Sequence, residues 1–195
     1  MITLKLHRLL RPVAWLLLSV SMLIAVKATM IGGKAWLGQH LLSQAWQQSR
    51  LGGRSVKPWP WADVSTIARL EIPSLHRSMI VLSDASGEAM AFGPGLVAGD
   101  PLRAANSTLA LGGHRDTHLA FLQDLQPGDL ISLHSLDGQT FHYRLIDKLI
   151  VDSRVQSLQI ATDAPGLVLI TCFPFDAVQT GGPLRLVARA DILPG

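Results

Sequence analysis

Short runs of apolar and β-branched residues, separated by turn residues, dominate the chain after Asp63. Runs of this length and composition form strands, and the Gly, Pro and Asp-Gly positions between them form turns. The runs are Ile67–Ile72, Met79–Leu82, Thr108–Leu111, Asp129–Leu136, Thr140–Val151, Leu167–Cys172 and Leu184–Ala190, with short helical turns expected at 85–92 and 118–125. About eight short strands and few long helices predict a single β-barrel or sandwich.

The N-terminal segment has the composition of a membrane anchor. Basic residues, the last of them Arg11, precede an uncharged run from Val13 to Val26. A bilayer-crossing helix needs roughly 20 residues, so we place the span at residues 12–31, with Lys27 reaching the far interface. Basic residues before the run predict a cytoplasmic N-terminus and an exported remainder. The alternative is a cleaved signal peptide, but Lys27 spoils the small-residue cleavage pattern.

A helical stem is predicted after the anchor. Between Ala35 and Arg50 the apolar residues recur every three to four positions with glutamines opposite, and Gly52-Gly53 ends the pattern. The Trp- and Pro-rich stretch 57–61 predicts a stiff, extended connector. The predicted organisation is therefore a cytoplasmic N-terminus at 1–11, an anchor at 12–31, a stem and connector at 32–63, and one domain at 64–195.

Charge and cysteine content narrow the functional classes. The net charge of +3 is spread along the chain, with no basic run interleaved with aromatic residues, so we expect no nucleic-acid partner. The single cysteine, Cys172, excludes an intramolecular disulfide. A lone thiol in an exported protein is a candidate for reactivity.

Cys172 lies at the end of the buried-strand pattern and two residues before Pro174. A strand end holds the backbone firmly while the side chain faces a cleft, which suits a nucleophile. The alternative is a cysteine packed as a small apolar side chain. Because a free thiol is mostly protonated at neutral pH, a reactive cysteine needs a histidine or a cation beside it.

His114 is the candidate partner. A strand pattern ending in Gly112-Gly113 delivers it, and the glycines allow close backbone approach, although a surface histidine in a turn fits the same pattern. His118 follows four residues later, but Gly113 and Asp116 disfavour the helix that a zinc-binding pair would need, so we predict no metal site.

Arg185 is the candidate cation. The segment from Phe173 to Pro183 is long enough to return antiparallel to the cysteine strand, which would bring Arg185 near Cys172. Its guanidinium would then be available to a developing oxyanion. The alternative is a strand arginine paired on the surface, which is the interpretation we give to Arg189.

Four successive motifs resemble those of sortases, in the family's order and spacing. They are Thr108-Leu-Ala-Leu-Gly-Gly-His114-Arg-Asp-Thr117, Leu125-Gln-Pro-Gly-Asp129, Leu169-Ile-Thr-Cys172 and Arg185-Leu-Val-Ala-Arg189, within about residues 64–193. The stem with Lys57-Pro-Trp-Pro-Trp-Ala-Asp63 further resembles the Gram-negative, proteobacterial class GN. One departure is Val168, where many sortases have Thr.

The resemblance implies an all-β fold with minor α structure: a closed eight-stranded barrel behind a transmembrane helix and a helical stem. It also implies a cysteine transpeptidase in which Cys172 attacks the Thr carbonyl of an LPXTG-like sorting signal and forms a thioacyl enzyme. His114 would serve as general acid and base, and Arg185 would stabilise the oxyanion or the substrate. Asp116 is a lesser candidate for orienting His114 or contacting the nucleophile.

The same resemblance implies the partners. They are a substrate protein with a C-terminal sorting signal, an amine acceptor and membrane lipid around the helix, with no cofactor. The loop 152–166 would form the wall for the Leu-Pro part of the signal, through Val155, Leu158 and Ile160. The enzyme would reside in the cytoplasmic (inner) membrane as a single-pass protein, with its catalytic domain on the periplasmic side.

Other functions stay open at this point. A cysteine endopeptidase that transfers the acyl group to water would use the same three residues. A non-catalytic anchored binding module would simply pack its cysteine. An L,D-transpeptidase is disfavoured because its Ser-x-Gly-Cys-Arg motif is absent from the sequence.

Overall fold

The structure is a computed structural model that describes residues 2–156, 160, 164–179 and 181–194; for residues 2–11, 31 and 32 it describes the helical backbone alone. The chain divides into two compact units, Met1–His40 and Leu41–Gly195. One long helix begins in the first unit and ends in the second, and all strands lie in the second.

Helix α1 (Ile2–Gly52) is longer than the anchor and stem patterns required separately, because the two join without a break. Pro12 lies inside it, near the start of the predicted span. From Pro12 onward the helix is long and apolar enough to cross a membrane. It ends as predicted at the glycine pair, where Gly53 takes a φ of 62°, a left-handed conformation that glycine adopts at little cost.

The last turns of α1 present one buried face within the second unit. Leu42, Ala45, Trp46 and Ser49 are buried at the three-to-four spacing of an amphipathic helix. The Ser49 hydroxyl lies 2.8 Å from that of Thr66, so a buried polar pair is satisfied. Trp36, at the start of the predicted helical pattern, is 70% exposed and stacks on His40.

The connector is a turn and not the extended segment that we predicted. The amide of Ala62 donates to the carbonyl of Trp59 at 3.0 Å, which closes residues 59–62. The Trp59 ring packs edge-on against Phe92 with ring centroids 5.1 Å apart, whereas Trp61 stays 80% exposed. The connector is therefore docked on the domain through one of its two tryptophans.

Eight strands form a closed barrel, as the resemblance implied. They are β1 (Thr66–Ile72), β2 (Arg77–Leu82), β3 (Gly95–Ala98), β4 (Thr108–Gly112), β5 (Leu130–Ser135), β6 (Thr140–Asp152), β7 (Gly166–Cys172) and β8 (Leu184–Ile192). Their order around the barrel is β1-β2-β3-β4-β7-β8-β6-β5, and β5 closes onto β1. The β2–β3 and β4–β7 pairs are parallel and the others antiparallel.

Burial alternates along the strands, as expected for a barrel with one filled side. In β7 the side chains of Leu167, Leu169 and Thr171 are buried, whereas Val168, Ile170 and Cys172 are partly exposed on the outer face. The outer face of β7 therefore carries the cysteine at the end of an apolar row.

Candidate active site

Cys172 and Arg185 face each other across two neighbouring strands. They are direct partners in the antiparallel β7–β8 register, and the amide of Phe173 donates to the carbonyl of Leu184 at 3.0 Å just beyond them. Directly opposed side chains lie on the same face, with Cβ atoms about 4.5–5.5 Å apart. Both residues are partly exposed, so a substrate can reach the sulfur and the guanidinium together.

His114 lies at the same end of the barrel because β4 runs parallel to β7. Thr108 pairs with Gly166 and Gly112 with Ile170, an offset of 58 residues. Two hydrogen bonds extend this contact past the strand: the amide of Gly113 donates to Ile170, and the buried Thr171 hydroxyl donates to the carbonyl of Gly113 at 2.8 Å. Carried one residue further, the same offset would place His114 opposite Cys172, since 172 − 114 is also 58.

Gly113 is required at this point of close approach. A Cβ there would lie 2.7 Å from Cγ of Leu119, whose own amide donates to the carbonyl of His114 at 3.0 Å. Any larger residue would push apart the strand end and the turn that it packs against. The glycine that the sequence pattern singled out therefore has a packing reason.

Arg185 divides its donors between the protein and the site. Its Nη1 donates to the carbonyls of Gly182 at 2.6 Å and Leu184 at 2.9 Å, which fixes the guanidinium against its own loop. Nε and Nη2 make no hydrogen bond to the described residues. These remaining donors are oriented by the fixed half of a planar fork, which suits a developing oxyanion.

Arg115 braces the loop between β7 and β8, a role that the sequence did not indicate. Its Nη2 donates to the carbonyls of Ala177 at 2.8 Å and Gln179 at 2.9 Å. The residue after the histidine thereby holds the loop that follows the cysteine. The histidine turn and the cysteine loop are linked through this one guanidinium.

His118 packs behind the histidine turn. Its Nε2 lies 3.3 Å from the carbonyl of Ala91, and burial, assisted by the nearby His114, lowers the pKa of His118 below its usual value. Within the described ranges, no group of three His, Cys, Asp or Glu side chains could hold a metal ion.

An apolar cavity of about 290 Å³ lies on the outer face at the start of β7. Val168 and Ile170 lead from Cys172 toward it along the outward row of the strand. Its lining residues are Thr108, Leu149, Val151, Ile160, 164–168, Val187 and 189–191. Of the predicted wall residues, Ile160 lines the cavity, Val155 is 78% exposed and Leu158 falls outside the described residues.

A second cavity, of about 460 Å³, is lined by the residues that follow the end of β7. It is more polar, and it is built from the residues that follow His114 and those that follow Cys172. They are Arg115, Asp116, Ala120, Gln123 and 173–176.

The surface interpretation of Arg189 is confirmed by its pairing with Asp147 on β6, in which Nε lies 2.8 Å from the carboxylate. The structure thus brings Cys172, Arg185 and the His114 turn to one end of the barrel and leaves Arg189 apart. Sequence patterns missed Arg115 and the more polar cavity, because these depend on contacts between distant parts of the chain.

The fold and the site define a class: closed β-barrels in which an outward cysteine at a strand end faces an arginine on the next strand and a glycine-flanked histidine. The family model described as the sortase domain matches residues 70–193, which is more than half of the chain. The chain therefore belongs to the sortase family.

The chain is also similar to individual proteins that are named as sortases. Sortase D of Bacillus subtilis (strain 168) is 28% identical over 110 residues, which cover 56% of this chain and 55% of that protein. The chain thus matches only about half of the length of this relative. Sortase C-1 from Actinomyces oris is similar in structure, with a TM-score of 0.57, 27% identity and coverage of 66% of this chain and 73% of that one.

Sortase A from Corynebacterium diphtheriae has a TM-score of 0.60 with 22% identity, covering 69% of this chain and 64% of that one. At this identity the likeness establishes the fold alone. The fold it establishes is the same closed barrel.

Proposed function

We propose that this protein is a membrane-anchored cysteine transpeptidase that cleaves an LPXTG-like sorting signal and transfers the acyl group to an amine. The observation that carries the proposal is the pairing of Cys172 with Arg185 across β7 and β8, next to the turn that holds His114. A nucleophile, a proton carrier and an anchored guanidinium at one accessible edge are the components that acyl transfer needs.

In the first half-reaction the thiol proton of Cys172 passes to His114, and the thiolate attacks the carbonyl carbon of the signal's threonine. The oxyanion that forms accepts hydrogen bonds from the free donors of Arg185. His114 protonates the leaving amine as the C–N bond breaks, which leaves a thioester on Cys172. In the second half-reaction an acceptor amine attacks the thioester, His114 takes its proton, and the sulfur departs as thiolate.

The apolar cavity suits the Leu-Pro part of the signal. Val168 lies four residues before Cys172, or about 13 Å along a strand, and an extended peptide covers about 10 Å between the Thr and Leu of the signal. The two lengths agree to within about one residue step. Val168 on β7 is partly exposed and Leu149 on β6 is exposed, and both line the cavity, where they offer the apolar contact that Leu and Pro require.

The anchoring and the finer class belong to the same proposal. The apolar part of α1, with basic residues before it, supports a single pass through the cytoplasmic membrane and a periplasmic barrel. The motif from Lys57 to Asp63 supports membership of class GN.

The test is a thioacyl trap on the full chain in detergent micelles. Incubation with a sorting-signal peptide should add the mass of the acyl fragment to Cys172, and hydroxylamine should release it as a hydroxamate. Cys172→Ala and His114→Ala should give no adduct while keeping the circular dichroism spectrum of the wild type. His142→Ala, an exposed histidine on β6, is the matched control and should form the adduct normally.

Two outcomes would contradict the proposal. Adduct formation in the His114→Ala variant at the normal rate would remove the histidine from the mechanism. An adduct that hydrolyses without any amide product, whatever amine is added, would favour the endopeptidase.

A further inference from the structure

The loop between β7 and β8 runs from the strand that ends at Cys172 to the strand that carries Arg185. Its far end is held firmly. The amide and the hydroxyl of Ser153 both donate to the carbonyl of Pro183, at 3.0 and 2.8 Å, and Nη1 of Arg185 donates to the carbonyl of Gly182 at 2.6 Å. The base of the loop is therefore fixed by the strands and by the start of the preceding loop.

The middle of the loop is held by one side chain. Nη2 of Arg115 donates to the carbonyl of Ala177 at 2.8 Å and to that of Gln179 at 2.9 Å. Among the described residues, no other hydrogen bond joins 177–179 to a part of the chain outside the loop. Val178, between the two carbonyls, is 98% exposed and adds no packing. The position of this segment therefore depends on Arg115.

The histidine turn gives Arg115 a firm base. The amide of Gly113 donates to the carbonyl of Ile170 at 3.1 Å, and the amide of Leu119 donates to that of His114 at 3.0 Å. Arg115 is partly buried and forms no salt bridge with any described residue. Hydrogen bonds from a charged donor are stronger than neutral ones. Two such bonds therefore hold the middle of the loop against the histidine turn.

The loop and the turn line the same cavity of about 460 Å³, through the residues directly after Cys172 and those directly after His114. The separation of the two segments therefore sets the width of this opening. After the first half-reaction, an acceptor amine and water compete for the thioester on Cys172. A closed site admits water poorly and orients a bound acceptor, so the separation of loop and turn influences which of them reacts.

We propose that Arg115 is a positioning residue that favours transfer to an amine over transfer to water, by holding the β7–β8 loop against the His114 turn. The proposal rests on the transpeptidase function proposed above. Either attack forms a new bond to the thioester carbon, C–N or C–O, and breaks the C–S bond. One proton of the attacking amine or water passes to His114, and the sulfur departs as thiolate. Arg115 takes no part in these bond changes.

The experiment measures the ratio of two products from one thioacyl enzyme. The full chain in detergent micelles is given a sorting-signal peptide and a fixed concentration of glycinamide. The amide and carboxylic acid products are separated by liquid chromatography and identified by mass. Their ratio depends only on steps after the thioacyl enzyme has formed. A variant that is only less stable therefore forms less of both products at an unchanged ratio.

We expect Arg115→Met to lower the amide-to-acid ratio about tenfold, within the roughly 100-fold cost of a misplacement of about 1 Å. Arg115→Lys should stay within about threefold of the wild type, because an ammonium group has three donors and can serve both carbonyls. Arg77→Met removes an exposed arginine at the start of β2 and is the matched control. It should keep the wild-type ratio.

A second substitution and a second measurement support the comparison. Arg115→Gln is shorter and neutral, and it should shift the products toward the acid as Arg115→Met does. Hydrogen exchange of the amides at 177–179 should be faster in both variants than in the wild type, whereas exchange in β7 should stay the same.

The outcomes separate the two proposals. Absence of a thioacyl adduct on Cys172 in the wild type overturns the transpeptidase function itself. An adduct with an unchanged product ratio in Arg115→Met or Arg115→Gln overturns the role of Arg115 alone. An equal loss in Arg115→Lys overturns it too, and so does a folded Arg115→Met that forms no adduct, because the guanidinium would then serve the first half-reaction.

Discussion

In the proposed mechanism, Arg185 both holds its own loop and donates to the substrate. Nη1 is held by the carbonyls of Gly182 and Leu184, and this contact orients the rest of the guanidinium toward the face that carries Cys172. A lysine has a single ammonium that can serve either the loop or the substrate. The residue is therefore more sensitive to a conservative change than its positive charge alone suggests.

We predict that Arg185→Lys lowers kcat/KM for a sorting-signal peptide about 100-fold, the usual cost of losing one oriented oxyanion donor. Steady-state cleavage of a fluorescent signal peptide measures this. Arg144→Lys, an exposed arginine opposite Asp191 on the same sheet, is the control and should stay within a few-fold of wild type. Turnover near the wild-type level in Arg185→Lys would reduce Arg185 to a structural contact.

At the scale of elements, the junction between β4 and β7 sets the site. The parallel pairing ends at Gly112 and Ile170. Beyond it, the Thr171 hydroxyl continues the contact between the two segments by donating to the carbonyl of Gly113. This bond is buried and joins the strand of the cysteine to the turn of the histidine. Loss of this hydrogen bond should lower both the stability of the fold and the rate of catalysis.

Thr171→Val keeps the shape of the side chain and removes the donor. We expect the free energy of unfolding to fall by about 1–3 kcal/mol, because the carbonyl of Gly113 would stay buried without this partner. Cleavage should fall as well, since the His114 turn is less firmly held. Urea unfolding and the peptide assay measure the two effects. Thr171→Ser, which retains the hydroxyl, should be closer to wild type in both, and equal behaviour of the two variants would contradict this role of the bond.

The histidine turn also carries a pH response. Burial, as the main cause, and the proximity of His114 lower the pKa of His118, so the folded protein binds that proton more weakly than the unfolded chain does. The folded protein is therefore most stable with respect to this group above the ordinary histidine pKa of 6.5. Its free energy of unfolding falls as the pH drops below that value, because the unfolded chain binds the proton more readily.

We therefore predict that Tm falls between about pH 7 and pH 5 in the wild type and falls less in His118→Gln. Differential scanning fluorimetry at constant ionic strength measures the slope. His76→Asn, which changes an exposed histidine in a left-handed position that Asn tolerates, should keep the wild-type slope. A steeper slope in His118→Gln would contradict the sign.

At the scale of the whole molecule, the sequence pattern predicted the presence of most strands but not the closure of the barrel. Seven of the eight strands correspond to apolar runs in the sequence, whereas β3 was missed because Gly93-Pro94-Gly95 resembles a simple turn. A Cβ at Gly95 would lie 2.1 Å from the carbonyl oxygen of Asp84. Glycine is therefore needed here because a distant part of the backbone passes close to it, and not because of a local turn. The resemblance to sortases, and no periodicity, predicted the closed barrel.

The candidate site, too, could be predicted only in part from the sequence. The antiparallel return of the loop after Cys172 could be expected from its length, and the resemblance supplied His114. The contacts of Arg115 with Ala177 and Gln179 join residues 62 and 64 positions apart, and no local pattern encodes such pairs. The same holds for the more polar cavity, which residues after His114 and residues after Cys172 form together.

The orientation of the whole chain in a membrane can be tested on its single cysteine. Cys172 is partly exposed, and no other thiol competes for a label. If the basic residues before the apolar part of α1 stay in the cytoplasm, the barrel lies outside the membrane. We expect a membrane-impermeant maleimide to label Cys172 in intact spheroplasts to nearly the same extent as in permeabilised ones.

The matched control places the single thiol near the N-terminus of α1 instead of in the barrel. Thr3→Cys in a Cys172→Ala background should be labelled only after permeabilisation, because the same charge rule keeps that end inside. Cys172→Ala alone should give no signal. The reverse pattern, with Thr3→Cys labelled in intact spheroplasts and Cys172 protected, would invert the topology. It would also remove the barrel from the compartment in which exported sorting signals are presented.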